Sequence, residues 1–532
     1  MTHSPFKARF AAGGEAVETW SGLHGSSVAL ALLAAASHRD GITLVVTRSS
    51  HQAQVLARDL LLLREDKLPV LLFPDHETLP YDPFSPHPDI IAERLKTLAS
   101  LSSLGKGLLL CPVSSLVQRL PPAEYILQRS FDLAAGDRLV IDDFRKKLDH
   151  AGYSLSEQVY QAGQYAVRGS VIDLYPAGSS DPYRIDLFDE EIDSIRVFEP
   201  DSQRSSGKVE SIELLPAREY PCDDEGLESF RRAFRLRFDV DTRKVMLYQD
   251  LRSGVHPQGR EQYLPLFYDE TSLLLDYIDH APQLVLQPGV FDAARDQARR
   301  TRERWEQRRH DLERPVLDPE ELFFSPEEIE QVLLDCPTVY LPDPDAEPAA
   351  RPEFNTAPAP DLHIHERGKE AAADLHGFLE SFSGRTLFAA DTPGRREVLR
   401  TTLAAFGIQP SPHDDFSGFL TSGDRLGLAV LPVDEGFISR DADRDELALL
   451  TESQLFGGRS RPKIERTVSE RDPESIIRNL TDLAAGAPVV HEDHGVGRYL
   501  GLETLEIDQR PAEFLMLEYA GGAKLYVPVS SL

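Results

Sequence analysis

Residues 165–200 read YAVRGSVIDLYPAGSSDPYRIDLFDEEIDSIRVFEP, and their pattern specifies the local fold more clearly than any other part of the chain. The pattern predicts three short strands, at 171–175, 183–188 and 194–198. The first two are separated by PAGSSDP at 176–182, where proline fixes φ and glycine accepts a positive φ. The segment therefore predicts a small sheet built from tight connections.

The second of these strands alternates cleanly. Ile185 and Leu187 point to one face, and the opposite face carries Arg184, Asp186 and Phe188. A large aromatic side chain on a polar face near an arginine is typical of a protein-binding surface. The alternative is that a helix or a neighbouring strand covers Phe188, which composition alone favours.

The segments RGSVIDLYP and YRIDLFDEEIDSIRVFEPDSQRS resemble the inserted domain of UvrB, the damage-verification subunit of the bacterial excision nuclease. They are closer still to the corresponding domain of the transcription-repair coupling factors. The resemblance implies that this sheet docks UvrA, the damage-sensing subunit. It also implies that the contact residues are Arg168, Arg184 and Phe188, two of which already share a face by alternation.

Composition limits the possible classes of protein. A chain of 532 residues with 41% hydrophobic content predicts roughly three to four folded domains. Three scattered cysteines argue against a disulfide framework or a zinc site and favour a reducing, cytoplasmic location. The net charge of −31 repels phosphates, so we expect weak or indirect DNA contact and protein partners. No apolar run is long enough to span a bilayer. We expect the protein to be a monomer.

The sequence predicts that two segments, 1–124 and 209–340, form one discontinuous α/β domain around an inserted α+β domain at 125–208. Short apolar strands alternate with helices in the first segment, which predicts a parallel sheet covered on both faces. The stretch from 73 to 86 resembles the first domain of the same family.

In relatives that use ATP, this first domain begins with a phosphate loop. The loop needs a lysine ammonium on the β- and γ-phosphates and a hydroxyl on Mg²⁺. The corresponding residues here are Gly22, Gly25, Ser26 and Ser27, with Ser26 at the lysine position and Trp20 at the first glycine. We predict a degenerate, P-loop-like fold without catalytic residue, nucleotide or metal. ATP and Mg²⁺ would belong to the motor of longer family members.

The middle of the chain gives weaker signals. Residues 341–366 read as a semi-stiff, proline-rich linker with no reason to pack, and 457–485 as a second linker. Between them, 367–456 predicts a small α/β domain of unknown role. It contains Asp434 and Glu435 after a hydrophobic strand, an arrangement that imitates a Mg²⁺-binding pair but lacks a lysine-bearing loop.

The last segment, 486–532, is strand-rich, with a glycine pair predicting a tight hairpin. It resembles the RNA-polymerase-interacting module of the coupling factors, an SH3- or Tudor-like barrel shared with CarD-type regulators. The resemblance implies that one strand binds an exposed edge of the polymerase β subunit through Leu502, Leu505 and Ile507. The alternative is that Leu505 is only a core residue of the barrel.

These features together predict a multidomain α/β adaptor for transcription-coupled repair, with UvrA and RNA polymerase as partners. Longer family members add an ATP-driven DNA translocase and a C-terminal domain that masks the UvrA surface. We therefore expect the N-terminal part of such a protein, with constitutive UvrA binding. Two alternatives stay open: a UvrB-like, ATP-dependent damage-binding enzyme, which would need a lysine at Ser26, and a CarD-like transcription regulator.

Overall fold

The computed structural model describes most of the chain. The described residues are 8, 10, 17–65, 67–253, 255, 257–341, 343, 353–364, 372–440, 446–456, 488–491, 495–507, 510–519 and 524–528. The chain divides into two compact units, Met1–Arg459 and Ser460–Leu532. Within the described ranges, sheets and helices alternate in the first unit and a single antiparallel sheet forms the second. The predicted multidomain α/β class is confirmed at this level.

A six-stranded, fully parallel sheet lies at the centre of the first α/β domain. Its elements are β1 (Val17–Thr19), α1 (Ser27–Ser37), β2 (Gly41–Thr47), α2 (Ser50–Leu63), β3 (Val70–Leu72), α3 (Pro88–Leu101), β4 (Lys106–Pro112) and α4 (Val113–Leu116). Two later strands, β13 (Gln283–Leu286) and β14 (Thr338–Tyr340), complete the order β1-β14-β13-β2-β4-β3. Strands β2 and β4 are buried on both faces, which explains their continuous apolar sequences.

A second six-stranded sheet is inserted between these strands. The inserted elements are α5 (Ala123–Arg129), β5 (Phe131–Ala134), α6 (Ile141–His150), β6 (Ser154–Leu155), β7 (Gln164–Arg168), β8 (Val171–Leu174), β9 (Tyr183–Phe188), β10 (Glu191–Phe198), β11 (Ser205–Val209) and β12 (Ser211–Leu214). The sheet order is β11-β10-β9-β8-β7-β6, while β5 pairs with β12. Neighbouring strands are antiparallel except β6 and β7. The three strands predicted between 171 and 198 are confirmed.

Helices dominate the segment that leads back to the first sheet. They are α7 (Asp224–Arg237), α8 (Met246–Arg252), the 3₁₀ helices Arg260–Phe267 and Leu274–Tyr277, α9 (Val290–Arg308), α10 (Pro319–Leu322) and α11 (Pro326–Leu334). An aromatic core that includes Phe230, Phe234 and Tyr263 holds several of them together. None of the helices in the described ranges has the length and apolarity needed to cross a bilayer.

A third six-stranded sheet follows, and it corrects the prediction for the proline-rich segment. Its elements are β15 (Thr356–Pro358), α12 (Ala373–Ser381), β16 (Arg385–Ala390), α13 (Pro393–Ala405), β17 (Ser411–Pro412), α14 (Phe416–Ser422), β18 (Leu426–Val430), β19 (Phe437–Ser439), β20 (Leu447–Thr451) and α15 (Glu452–Phe456). Strand β15 pairs with β19, and Phe354, Leu362 and Ile364 beside it are buried. The part of 341–366 near this strand therefore packs, because its apolar side chains have a core to enter.

This third sheet shares a hydrophobic core with the first α/β domain. Leu387, Phe416 and Phe419 belong to the same cluster of buried residues as the alanine-rich face of α1 and Leu60 of α2. The two domains are therefore packed together through a continuous apolar interface within one compact unit.

The second unit is an antiparallel sheet of β21 (Pro488–His491), β22 (Gly495–Ile507), β23 (Arg510–Glu518) and β24 (Lys524–Pro528). Strands β23 and β24 pair in antiparallel fashion up to Glu518 and Lys524. The glycine pair that predicts a tight turn between them lies outside the described residues. Leu502, Leu505 and Ile507 all lie on β22, where their backbones pair with β23. Their side chains lie outside the described residues.

Candidate functional site

The two faces of the inserted sheet differ in exposure. Along β9, Ile185 and Leu187 are buried, Arg184 and Asp186 are half-buried, and Phe188 is exposed. The buried face packs against Phe144 of α6 in one hydrophobic cluster. The predicted alternation of β9 is confirmed, because a strand turns successive side chains to opposite faces. We call the face that carries Arg184 and Phe188 the outer face.

Phe188 is the most accessible aromatic side chain on this face, with 79% of its surface exposed. It is the last residue of β9 and pairs with Glu191 across a tight turn. Asp189 takes a φ of 60° in that turn, a left-handed conformation that aspartate tolerates better than most residues. The turn therefore places the phenyl ring at the end of the hairpin, and the alternative of a covered Phe188 is wrong.

Arg184 is held inside its own domain. Its Nε donates to Oδ1 of Asp173 at 2.6 Å and its Nη2 donates to Oδ2 at 2.9 Å. Its Nη1 donates to the carbonyl of Gln203 at 3.1 Å, and the guanidinium lies 5.1 Å from the ring centre of Phe198. Hydrogen bonding to Asp173 raises the pKa of Arg184. With 19% of its side chain exposed, Arg184 has little left to offer a partner.

Arg168 lies near the same carboxylate but faces solvent. Its Nη2 donates to the carbonyl of Glu157 at 3.0 Å and stands 3.7 Å from Oδ2 of Asp173. Its side chain is 48% exposed and lines an open depression of about 570 Å³ together with Glu157, Gln158 and Tyr160. The structure thus brings Arg168 and Arg184 together through Asp173 and gives them different accessibility.

Further residues of the outer face were not singled out by sequence. Arg196 of β10 donates from Nε to Oδ2 of Asp186 at 3.1 Å, and Ser194 also hydrogen-bonds to that carboxylate. The alternation of β10 was readable, and it would have placed Arg196 on this face. Asp173 was not recoverable in the same way, because its pairing opposite Arg184 depends on strand register.

The degenerate phosphate loop forms a strand–loop–helix between β1 and α1. Trp20 is buried and its ring centre lies 5.3 Å from Phe10 and 5.4 Å from Phe354. Thr356 donates its hydroxyl to the carbonyl of Gly22 at 2.7 Å. The strand β15 and its preceding residues therefore cover the first half of the loop.

The second half of the loop contacts the turn before β19. The main-chain N–H of Ser26 donates to the carbonyl of Glu435 at 3.0 Å, and its hydroxyl contacts both that carbonyl and Oδ2 of Asp59 at 2.8 Å. A Cβ added to Gly25 would lie 2.5 Å from the carbonyl oxygen of Gly436. In phosphate loops such main-chain N–H groups cradle phosphates. Here a carbonyl of the same chain accepts the bond from Ser26.

The Asp434–Glu435 pair takes part in this contact through its backbone. The N–H of Asp434 donates to Oδ1 of Asp59 at 3.3 Å, and its carboxylate lies 3.7 Å from Nη2 of Arg58. Burial raises the pKa of Asp59 to about 6, against the opposing effects of Ser26 and Arg58. Across the described residues, no group of three or more His, Cys, Asp or Glu side chains gathers to hold a metal ion.

Three family models match the chain. A UvrB interaction domain model matches residues 131–220, which include the whole outer face. A model described as the MFD, D3 domain matches residues 378–455, within the third sheet. A CarD-like/TRCF RID domain model matches residues 483–532, the region of β21 to β24.

Curated proteins called transcription-repair-coupling factor are similar over most of the chain. The Haemophilus influenzae protein is 38% identical over 506 residues, covering 95% of this chain and 44% of its own length. The Escherichia coli protein is 40% identical over 468 residues, 87% of this chain and 40% of its own. The Bacillus subtilis protein is 28% identical over 551 residues, covering 96% of this chain and 44% of its own length. The chain thus spans less than half the length of these relatives.

Proposed function

We propose that this chain, a relative of the transcription-repair-coupling factors over nearly its whole length, is a two-ended adaptor in transcription-coupled DNA repair. The outer face of the inserted sheet recruits UvrA, and the C-terminal sheet binds the β subunit of RNA polymerase. Both partners are cytoplasmic in bacteria, and so is the proposed activity.

The observation that carries the proposal is the exposure of Phe188 on a sheet that matches the UvrB interaction domain. An aromatic ring with 79% of its surface in water gains free energy when a partner covers it. Aromatic side chains and arginine are enriched in protein interfaces, where a few residues carry most of the binding free energy.

The contacts of the outer face assign different roles to the three predicted residues. Phe188 is the apolar anchor, and Arg168 offers a planar, half-exposed guanidinium to carboxylates or carbonyls of UvrA. Arg184 maintains the surface from within, because three of its contacts are to Asp173 and Gln203. This revises the equal weight that the resemblance gives to the two arginines.

The polymerase-binding half rests on the CarD-like/TRCF RID match and on the long strand β22. Exposed strand edges bind partner strands through main-chain hydrogen bonds, while alternate side chains give specificity. Leu502, Leu505 and Ile507 of this strand are the proposed contacts with the β subunit.

The enzyme alternative conflicts with the contacts around the degenerate phosphate loop. Ser26 already donates its main-chain N–H to Glu435, and the Gly436 carbonyl lies against Gly25. A triphosphate would have to displace this backbone before any contact with the loop. We therefore propose that this part of the chain binds proteins and leaves ATP hydrolysis to the translocase of longer relatives.

The decisive experiment is a calorimetric titration of UvrA into the chain carrying Phe188→Ala. Losing an aromatic anchor costs about 2 kcal/mol, or roughly a 30-fold rise in Kd. Phe84→Ala is the matched control, because Phe84 is also exposed, at 66%, and lies outside the inserted sheet. Equal affinity of both variants and the unmodified chain would contradict the docking surface.

A parallel titration with the polymerase β subunit tests the other end. The adaptor binds both proteins, whereas a CarD-like regulator binds the β subunit alone. Phe188→Ala is expected to leave β-subunit affinity unchanged, since it alters only the inserted sheet.

A further inference from the structure

We propose that Asp173 is a positioning residue of the UvrA-docking surface, where its buried carboxylate fixes the guanidinium of Arg168 toward the partner through a charge cluster shared with Arg184. This inference rests on the proposed function, since it concerns the same face. It adds a residue that makes no contact with UvrA itself, because Asp173 lies beneath both arginines and is buried.

The register of three strands creates the cluster. Asp173 of β8 pairs directly with Arg184 of β9 on one side and with Ala166 of β7 on the other. The side chain of Ala166 is small and packs in a buried cluster with Val159 and Phe198. Arg168, two residues further along β7 on the same face, reaches back diagonally to the carboxylate. Diagonal neighbours on a sheet lie within reach of long side chains.

Both oxygens of the carboxylate are engaged. Arg184 donates to Oδ1 and to Oδ2 in a forked arrangement, and Nη2 of Arg168 lies 3.7 Å from Oδ2. A buried carboxylate costs free energy unless it is paired and hydrogen-bonded in this way. An amide at position 173 would turn a donor group toward at least one guanidinium. Asparagine is therefore the smallest change that dissolves the cluster.

The cluster leaves one side of Arg168 available. Its Nη2 donates to the carbonyl of Glu157 and stands 3.7 Å from Oδ2 of Asp173, while Nε and Nη1 form hydrogen bonds with none of the described residues. These remaining donors belong to a side chain that lines the open depression next to Tyr160. The arrangement suits a carboxylate of UvrA, since guanidinium and carboxylate bind as matched planar groups. Holding Arg168 in place in advance removes the ordering cost that binding would otherwise carry.

The test is a double-mutant cycle between Asp173 and Arg168, measured by titrating UvrA into the full chain. We expect Asp173→Asn to weaken binding about tenfold, and Arg168→Ala to weaken it at least as much. In the Arg168→Ala background, Asp173→Asn should then weaken binding clearly less than it does in the unmodified chain, because the part of its effect that passes through Arg168 is already lost and only the part through Arg184 remains. Additive losses, or an unchanged Kd for Asp173→Asn, would overturn the positioning role.

Two features keep folding defects separate from lost positioning. Unfolded molecules lower the stoichiometry of a calorimetric titration, whereas a misplaced Arg168 raises Kd at unchanged stoichiometry. Asp173→Glu keeps the charge, so it should remain within about threefold of the unmodified chain, and a loss equal to that of Asp173→Asn would count against the proposal. Ile195→Val, on the buried face of β10, is the control for a packing defect and should leave Kd unchanged.

Failure of this inference can be told from failure of the proposed function. If Phe188→Ala and Arg168→Ala weaken UvrA binding while Asp173→Asn does not, only the positioning role is lost. If none of the three changes the affinity, the docking surface itself is refuted.

Discussion

A largely buried triad of Glu219, Arg94 and His76 ties the inserted domain to the first sheet, and its carboxylate offers a sharp test of the fold. Arg94 of α3 donates from Nε to Oε1 of Glu219 at 2.7 Å, and Nε2 of His76 lies 3.0 Å from Oε2. Arg94 also donates to the carbonyl of Pro74 at 2.8 Å, and its guanidinium stands 4.2 Å from the centre of the Phe73 ring. Glu219 follows β12, so this triad fastens the point where the chain leaves the inserted domain.

The contribution of Glu219 to the free energy of folding follows from its pKa. Burial alone would raise it, but Arg94 and His76 outweigh burial and lower it from 4.5 to about 2. At about 1.4 kcal/mol per pH unit between these values, ionised Glu219 contributes about 3 kcal/mol to folding. Because the pKa of the folded state is the lower one, this contribution is fully present above pH 4.5 and is lost as pH falls toward 2.

Glu219→Gln is therefore expected to lower the free energy of unfolding by about 3 kcal/mol at neutral pH, leaving Arg94 buried without its anion. The assay is urea denaturation of the full chain, followed by fluorescence of Trp20 and Trp305, which both lie in the first unit. Near pH 3 the difference between the variant and the unmodified chain should shrink to less than half. Glu213→Gln, an exposed carboxylate on β12, is the control. A loss below about 1 kcal/mol at neutral pH, or one that does not vary with pH, would refute this reasoning.

Two further predictions concern the degenerate phosphate loop. Ser26→Lys restores the missing ammonium, yet we expect no Mg²⁺-ATP binding by calorimetry, because the Glu435 and Gly436 backbone still occupies the loop; micromolar binding would show otherwise. Gly25→Ala should lower the free energy of unfolding by about 2 kcal/mol or more, since Gly25 has a φ of 52° and a Cβ there would lie 2.5 Å from the Gly436 oxygen. Gly105→Ala, where a Cβ meets nothing within 4 Å, is its control, and equal urea midpoints for the two variants would contradict the packing of the loop.

Local patterns were sufficient to predict much of the fold and the exposure of Phe188. The apolar run of β2 and the alternation of β9 indicate a parallel sheet and a two-faced strand, because side-chain periodicity depends only on the local backbone. The same alternation places Phe188 on the opposite face of the strand from Ile185 and Leu187, and the structure confirms this placement. Features that depend on the geometry of a single strand could therefore be predicted from the sequence.

Contacts between segments that are distant along the chain could not be predicted from the sequence. The bond from Ser26 to Glu435 joins residues 409 positions apart, and no local preference reports which backbone will meet the loop. The packing of Phe354, Leu362 and Ile364 was missed for a different reason. The prolines around them indicate a linker by composition, but apolar side chains are buried whenever a neighbouring domain offers a core.

The sequence predicts that Arg184 contacts UvrA and that Ser26 belongs to a degenerate phosphate loop. In the structure, the ability of either residue to bind a new partner is limited for the same physical reason. A donor that already has a partner inside the chain must break that bond before it can bind anything else, so its net gain from a new partner is small. Arg184 donates to Asp173 and Gln203, and Ser26 donates to Glu435. We therefore expect Phe188 and the open side of Arg168 to contribute most to the proposed docking, because no such bond has to be broken there.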